Sequence, residues 1–418
     1  MSGFVHALLA LVFVFLTGAD APSSVSNLDA DDNTGFIYGT LTLQDGEQHT
    51  GFIRWESEEA FWDDLFHSRQ DELPWLEHVD MAELQAERRR RYFESHGMFD
   101  RLMWTMHNQG DPHMSRLFIC QFGYLDGIEI DDDENVTMLI RGGDRVPVHG
   151  YSNDVRSDLL VYTEEDDPVE VDWDDLAGIE FSTAPVGAVP YAQRLYGKVE
   201  STEGNFEGFI QWDQSECTSI DILNGNERDI PMGDIRSITR NRENTSDIVL
   251  KDGSEFTMAG TNDVGGGNRG VMIENPLWGR VTVAWKRFIS LTFVEGHGSG
   301  AERMDFSDIH PLTGTVTDVE GNTRPGRIVY DMDEAWSRDV FNGETRDLEY
   351  AIPFDLIISI EKKDDRTCRV SLLTGRTLDL GGSQDTGDKH AGVLVFAEGN
   401  DTPSYIPWSR VGTITFRD

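Results

Sequence analysis

Tyr196-Gly197-Lys198-Val199-Glu200-Ser201-Thr202-Glu203-Gly204-Asn205-Phe206-Glu207-Gly208-Phe209-Ile210-Gln211-Trp212 decides the fold. Apolar side chains alternate with polar ones through Phe206, Ile210 and Trp212, and a glycine turn sits between two such runs. That is the period of strands joined in a hairpin. The phrase is written three times. It runs from Tyr38-Gly39 through Gly46 and Gly51 to Trp55, and again from Thr313-Gly314 through Gly321 and Gly326 to Tyr330.

Farther along, Gly143, Gly253 and Gly375 each stand 15 positions after an isoleucine (Ile128, Ile238, Ile360) and seven before another glycine (Gly150, Gly260, Gly382). Trp173, Trp285 and Trp408 each stand eight positions before a phenylalanine (Phe181, Phe293, Phe416) that closes the copy. The copies are 110 and 122 residues apart, far longer than common solenoid or propeller units. Each copy is therefore domain-sized. Short strands with glycine turns predict an all-β chain of three tandem repeats, each built of short-stranded small barrels, with a helical insertion in the first.

Outside the frame, residues 1–19 carry an uncharged apolar run from Phe4 to Ala19 and predict a signal peptide, followed by a linker over 20–34. The repeats are placed at 35–182, 195–295 and 312–418, joined by linkers at Thr183–Arg194 and Glu295–Pro311. The destination is secreted or periplasmic, and no stretch of the mature chain is apolar enough to cross a bilayer.

With 76 acidic against 35 basic residues the formal charge is −41, spread over all three copies, which repels nucleic acid and suits a salt-adapted surface. Three cysteines (Cys120, Cys217, Cys368) at non-equivalent places predict buried small hydrophobes rather than a disulfide framework.

The insertion covers 71–110. Asp80 with Glu83 forms a capping-box signature, Gly97 a stop, and Phe99, Leu102, Met103 and Met106 have the spacing of a second short helix. Its one basic run, Arg88, Arg89, Arg90 and Arg91, is a candidate anion or partner site. The competing expectation is a solvated face with Glu87 and Arg91 paired at i, i+4.

Each copy also carries an acidic triplet after its aromatic: Glu56, Glu59 and Asp64; Asp213, Glu216 and Asp221; Asp331, Glu334 and Asp339. Three carboxylates in so few residues are a candidate metal site, with calcium the cation they would take. Recurrence in every copy favours a capped turn, the first acid capping a single helical turn and the glutamate completing a capping box. The glycine-rich loop from Gly260 to Gly270 lacks the strand-to-helix context of a phosphate-binding loop and predicts a flexible connection.

No Gly-x-Ser-x-Gly, His-Glu-x-x-His or Cys-x-x-Cys is present, and the histidines, His107, His113 and His149 among them, have no ligand spacing. The recurring tryptophans are expected in the core, whereas Trp62, Trp75 and Trp336 stand outside the frame and are candidates for an exposed sugar platform.

The opening phrase, followed by an apolar pair, Asn224-Gly225, Ile230-Pro231 and Ile235 to Ile238, resembles a small SH3-like or Sm-like barrel, as found repeated in secreted bacterial proteins. The resemblance covers about half of each copy and assigns no functional residue. The expected function is a non-enzymatic binding or surface-associated repeat protein, cation-stabilised if the triplets hold calcium, with a protein or glycan partner. The alternative is an extracellular hydrolase acting on glycan or peptide, with its site near the insertion of the first copy.

Overall fold

The computed structural model describes residues 34–56, 58–95, 97, 114–150, 154–163, 167–241, 244–387 and 389–417. Among them are 30 strands and one α-helix, and the strand ladders are antiparallel, so the chain is all-β. No helix of the described residues is long and apolar enough to cross a membrane. The apolar run expected to be a signal peptide and the second helix expected around Phe99 to Met106 lie outside the described residues.

In the first segment β1 (Tyr38–Leu43), β2 (Gln48–Trp55), β3 (Leu65–Gln70), α1 (Met81–Ser95), β4 (Arg116–Gln121), β5 (Leu125–Ile130), β6 (Asn135–Ile140), β7 (Arg145–His149), β8 (Leu159–Tyr162), β9 (Val169–Val171) and β10 (Leu176–Phe181) follow in chain order. The strands pair as β4-β3-β7-β6-β5-β10-β1-β2-β8-β9. The order β7-β6-β5-β10-β1-β2-β8-β9 recurs in residues 196–293. There Tyr196–Ser201 lies between Gly204–Trp212 and Phe288–Phe293, and the ladder runs on to Glu255–Ala259 on one side and Gly279–Val283 on the other. It occurs once more in residues 313–416.

Among the described residues none of these sheets closes on itself. The strands that would have to meet are taken by other partners: β7 pairs with β3, and Gly279–Val283 pairs with Leu348–Pro353 of the following segment. That last ladder makes one continuous 18-stranded sheet of the second and third segments, and their apolar interior is correspondingly continuous, whereas the first segment has its own.

Two glycine landmarks have distinct physical reasons. Gly143, Gly253 and Gly375 turn with φ of +102°, +90° and +79°, a region that disfavours a Cβ. Gly51, Gly208 and Gly326 instead let two backbones approach: a Cβ there would sit 2.2, 2.2 and 2.1 Å from the carbonyl oxygens of Tyr162, Glu274 and Phe396. Trp55, Trp212 and Tyr330 follow, fully buried, and each meets the aromatic of the turn before the last strand (Trp173, Trp285, Trp408) at ring distances of 6.0, 5.7 and 5.9 Å.

The stretches expected to be linkers are packed. Tyr191 stacks on Tyr162 at 3.5 Å, and Phe306 enters the core of the first segment against Tyr124, over Gly123, whose Cβ would collide with its ring. Cys120, Cys217 and Cys368 are buried and unbridged.

Substituting Gly208→Ala forces a carbonyl to move and is expected to destabilise by about 3 kcal/mol. Gly253→Ala, strained only in its own backbone, should cost about 1 kcal/mol. Urea midpoints of the two variants would reveal the order; equal losses would contradict the assignment of Gly208 to strand contact.

Candidate functional site

The triplets form a left-handed turn rather than a helical one. Glu56, Asp213 and Asp331 have φ of +50°, +51° and +48°, and a backbone bridge then links Trp55 to Glu59, Trp212 to Glu216 and Tyr330 to Glu334. Each bridge is closed by reciprocal backbone bonds between residues four apart, Trp55 N to Glu59 O at 2.8 Å and Glu59 N to Trp55 O at 3.3 Å in the first copy, and it is the third acid that accepts the next N–H groups of the turn.

The third acid holds the first two residues after the glutamate. Asp64 Oδ2 accepts the N–H groups of Ala60 and Phe61 at 2.8 and 2.9 Å, Asp221 Oδ2 those of Cys217 and Thr218 at 2.8 and 2.7 Å, and Asp339 Oδ2 those of Ala335 and Trp336 at 2.6 and 2.9 Å. The first acid ties the turn to a distant loop: Glu56 accepts from Ser157 Oγ, Asp213 from Asn262 Nδ2 and Arg269 N, and Asp331 from Ala391 N. The glycine-rich loop is therefore an ordered clasp, with Asp263 and Val264 buried.

A further aspartate completes each arrangement. Trp55 Nε1, Trp212 Nε1 and Tyr330 Oη donate to the carbonyls of Asp154, Asp263 and Asp385, whose carboxylates accept the N–H groups of His67, Asn224 and Asn342. These aspartates stand 95, 47 and 51 positions after their glutamates, and only the sheet order brings them together. Their one trace in the sequence is an aspartate retained in all three loops. Among the described residues no group of three or more Asp, Glu, His or Cys side chains is arranged to hold a metal ion.

The arginine run divides on α1. Asp80 Oδ1 caps the helix through the N–H groups of Ala82 and Glu83. Arg91 is fully buried, 3.4 Å from Glu87, and donates to the carbonyl of His390 in the third segment, while Glu87 accepts Ser409 N at 2.9 Å. The i, i+4 pair thus forms inside a contact, not on a solvated face, because Leu84 on the same side packs against the third segment. Arg89 and Arg90 are exposed, Arg89 over the Phe93 ring, and Arg88 lines a cleft.

Cavities open around this docking. A cleft of about 820 Å³ holds Arg69, Arg88, Arg116, Arg366 and Lys389 with Glu344 and Glu349 on its walls. Through His67, Leu117, Asn342, Glu349 and Tyr350 it adjoins a cavity of about 350 Å³ to which all three segments contribute, including Glu59, Asp154, Met272 and Arg280. On the other face of the β3–β4 hairpin lies a cavity of about 590 Å³ containing Trp75, Trp336 and Phe118. Trp75 and Trp336 are half-buried and both line it; Trp62, the third platform candidate, is a core residue edge-on to Phe181.

The glutamates of the triplets hold protons unusually well. Burial first, then the charges of Asp263, Asp213 and Asp221, push Glu216 up to about 8. Burial and Asp154 raise Glu59, and burial with Asp333 and Asp385 raises Glu334.

For each, the folded state binds a proton that the unfolded chain has released, so stability is fully present below about 4.5 and falls as pH rises towards 8. We expect the urea midpoint to decline from pH 5 to 8.5 and the decline to be shallower in Glu216→Gln; a flat wild-type profile would contradict the buried acids. Because the turns are held by backbone N–H groups, chelation with EDTA should leave the midpoint unchanged at pH 7, and a fall would restore calcium to them. The chain matches no family model, no curated protein and no solved structure.

Proposed function

We propose that the chain is an exported, non-enzymatic binding protein. In this reading three copies of one small barrel-like unit, of the SH3-like or Sm-like kind, form a rigid frame. The ligand sits on the seam that the insertion of the first copy makes with the third. Export rests on the apolar run from Phe4 to Ala19, and the spread of acidic charge suits an exterior, saline setting.

The observation that carries the reading is the asymmetry of that seam. Second and third copies join edge to edge by a β-ladder, whereas first and third join through α1, leaving cavities on both faces of the β3–β4 hairpin. Ligand sites are concave, with apolar walls and a few fixed polar groups, and these cavities have both.

One observation favours the hydrolase. His67 Nδ1 lies 3.4 Å from Asp154 Oδ2 beside the proton-holding Glu59, on the wall of the cavity shared by all three copies, and the equivalent positions in the other copies are Asn224 and Asn342. A histidine next to a carboxyl group held protonated is the equipment of general acid–base catalysis. The frame explanation is stronger, because the Glu–Asp pair recurs in copies without a histidine. Fluorogenic glycosides and a peptide library should show no turnover. Turnover abolished by both His67→Ala and Glu59→Gln would overturn the binding reading and establish the hydrolase.

A further inference from the structure

The cavity between the Pro74–His78 turn and the third segment has a composition that the frame does not require. Trp336 follows Glu334 by two positions; the residues so placed in the other segments are Phe61 and Thr218, both fully buried. All three donate their N–H to the third acid of the turn, so the backbone role is constant and only the side chain differs. In the third segment that side chain is an indole, half-exposed and turned into a cavity of about 590 Å³ opposite a second indole, Trp75. Each ring is held by a guanidinium above it, Arg327 at 5.0 Å from Trp75 and Arg338 at 5.3 Å from Trp336. Trp75 is further fixed edge-on to Phe396 at 5.8 Å.

The polar groups around the two rings are planar: Gln70, Glu72, Asp144, Asp333, Asp339 and Arg338. Carboxylates outnumber guanidinium groups, and the guanidinium groups are engaged: Arg145 with Glu129, Arg338 with Asp144 and Asp339, and Arg327 over the Trp75 and Phe396 rings. Resting on the binding reading above, we infer that this cavity takes a neutral pyranose glycan, its C–H face on the indoles and its hydroxyls on the carboxylate rim. A pyranose has an apolar face and a ring of hydroxyl groups, so it needs both kinds of wall together. An acidic sugar would bring its charge against the excess of carboxylates. The volume lies inside the range of roughly 300–1,000 Å³ usual for small-molecule sites, enough for a short oligosaccharide.

The test is calorimetric and fluorescence titration of the full chain with maltohexaose, cellohexaose and chitohexaose, and with an oligogalacturonate as the acidic comparison. One neutral oligosaccharide should bind below millimolar concentration and change the tryptophan emission. Trp336→Ala and the exposed-rim variant Glu72→Ala should each weaken it at least tenfold with unchanged circular dichroism. Lys198→Ala, on the exposed surface of the second segment, should leave it unchanged. Binding that persists in both cavity variants would overturn the site while sparing the binding reading. Binding of the oligogalacturonate alone would overturn the neutral-sugar assignment and again spare that reading. No binding by any of the four, with the protein folded, would overturn the glycan inference outright, and turnover of any of them would overturn the non-enzymatic reading instead.

Discussion

A single carboxylate in each segment joins the local fold to the assembly. Asp64 and Asp221 each accept two backbone N–H groups from their own turn and also pair with an arginine from a neighbouring segment: Arg280 Nη2 lies 3.0 Å from Asp64, and Arg54 Nη2 donates to Asp221 at 3.0 Å. In the third segment Arg338 beside Asp339 reaches across to Asp144 of the first, at 3.9 and 3.7 Å. A carboxylate already fixed by two N–H groups offers a guanidinium a stationary partner, which lowers the ordering cost of a buried ion pair. Removing one partner would leave the other charge stranded, a loss of about 3–5 kcal/mol for a buried pair. Turn integrity and segment docking are thus the same interaction, and neither can be weakened without the other.

The second constraint is the satisfaction of large buried side chains. An indole or phenol at the centre of a sheet must place its one polar atom on an acceptor. Here that acceptor is the carbonyl of Asp154, Asp263 or Asp385, and the same aspartate turns its carboxylate to an N–H of the strand leaving the acidic turn. Three chain stretches distant in sequence are pinned at one point. The glutamate of the turn is then close to that aspartate in a dry setting, and retaining its proton is how the cluster avoids two adjacent buried charges.

How much of this is legible in the sequence depends on where each constraint lies along the chain. Strand class is legible because alternation is local, and Gly51, Gly208 and Gly326 mark strand contacts that a Cβ would block. The turns at Glu56, Asp213 and Asp331 are legible as turns but not in their hand: aspartate tolerates the left-handed region without requiring it, and Glu56 adopts it with no such preference. The pairing of Arg280 with Asp64 spans 216 positions and exists only once the segments are docked. The arginine run misleads for the same reason: Arg91 is solvated on an isolated helix and buried on this one, and the third segment supplies the difference. Trp75 and Trp336 are separated by 261 positions, and nothing short of the seam could show that they share a cavity.

In a frame written three times, whatever the frame needs must appear three times, so features that occur once carry the information about function. Asp64, Asp221 and Asp339 belong to the first kind; Trp336 in place of Phe61 and Thr218, and His67 in place of Asn224 and Asn342, belong to the second. Their location is not accidental. A β-ladder continued from one segment to the next pairs both edges, as between Gly279–Val283 and Leu348–Pro353. Where the ladder stops, at β4 and at Ser404–Ile406, the edges need another cover, and here the insertion packs against Val329, Leu394, Phe396 and Tyr405. A helix laid against a sheet cannot match its surface everywhere, and the mismatch is concave. Cavities on the two faces of the β3–β4 hairpin thus lie where the ladder stops, and the unrepeated Trp336 and His67 line them.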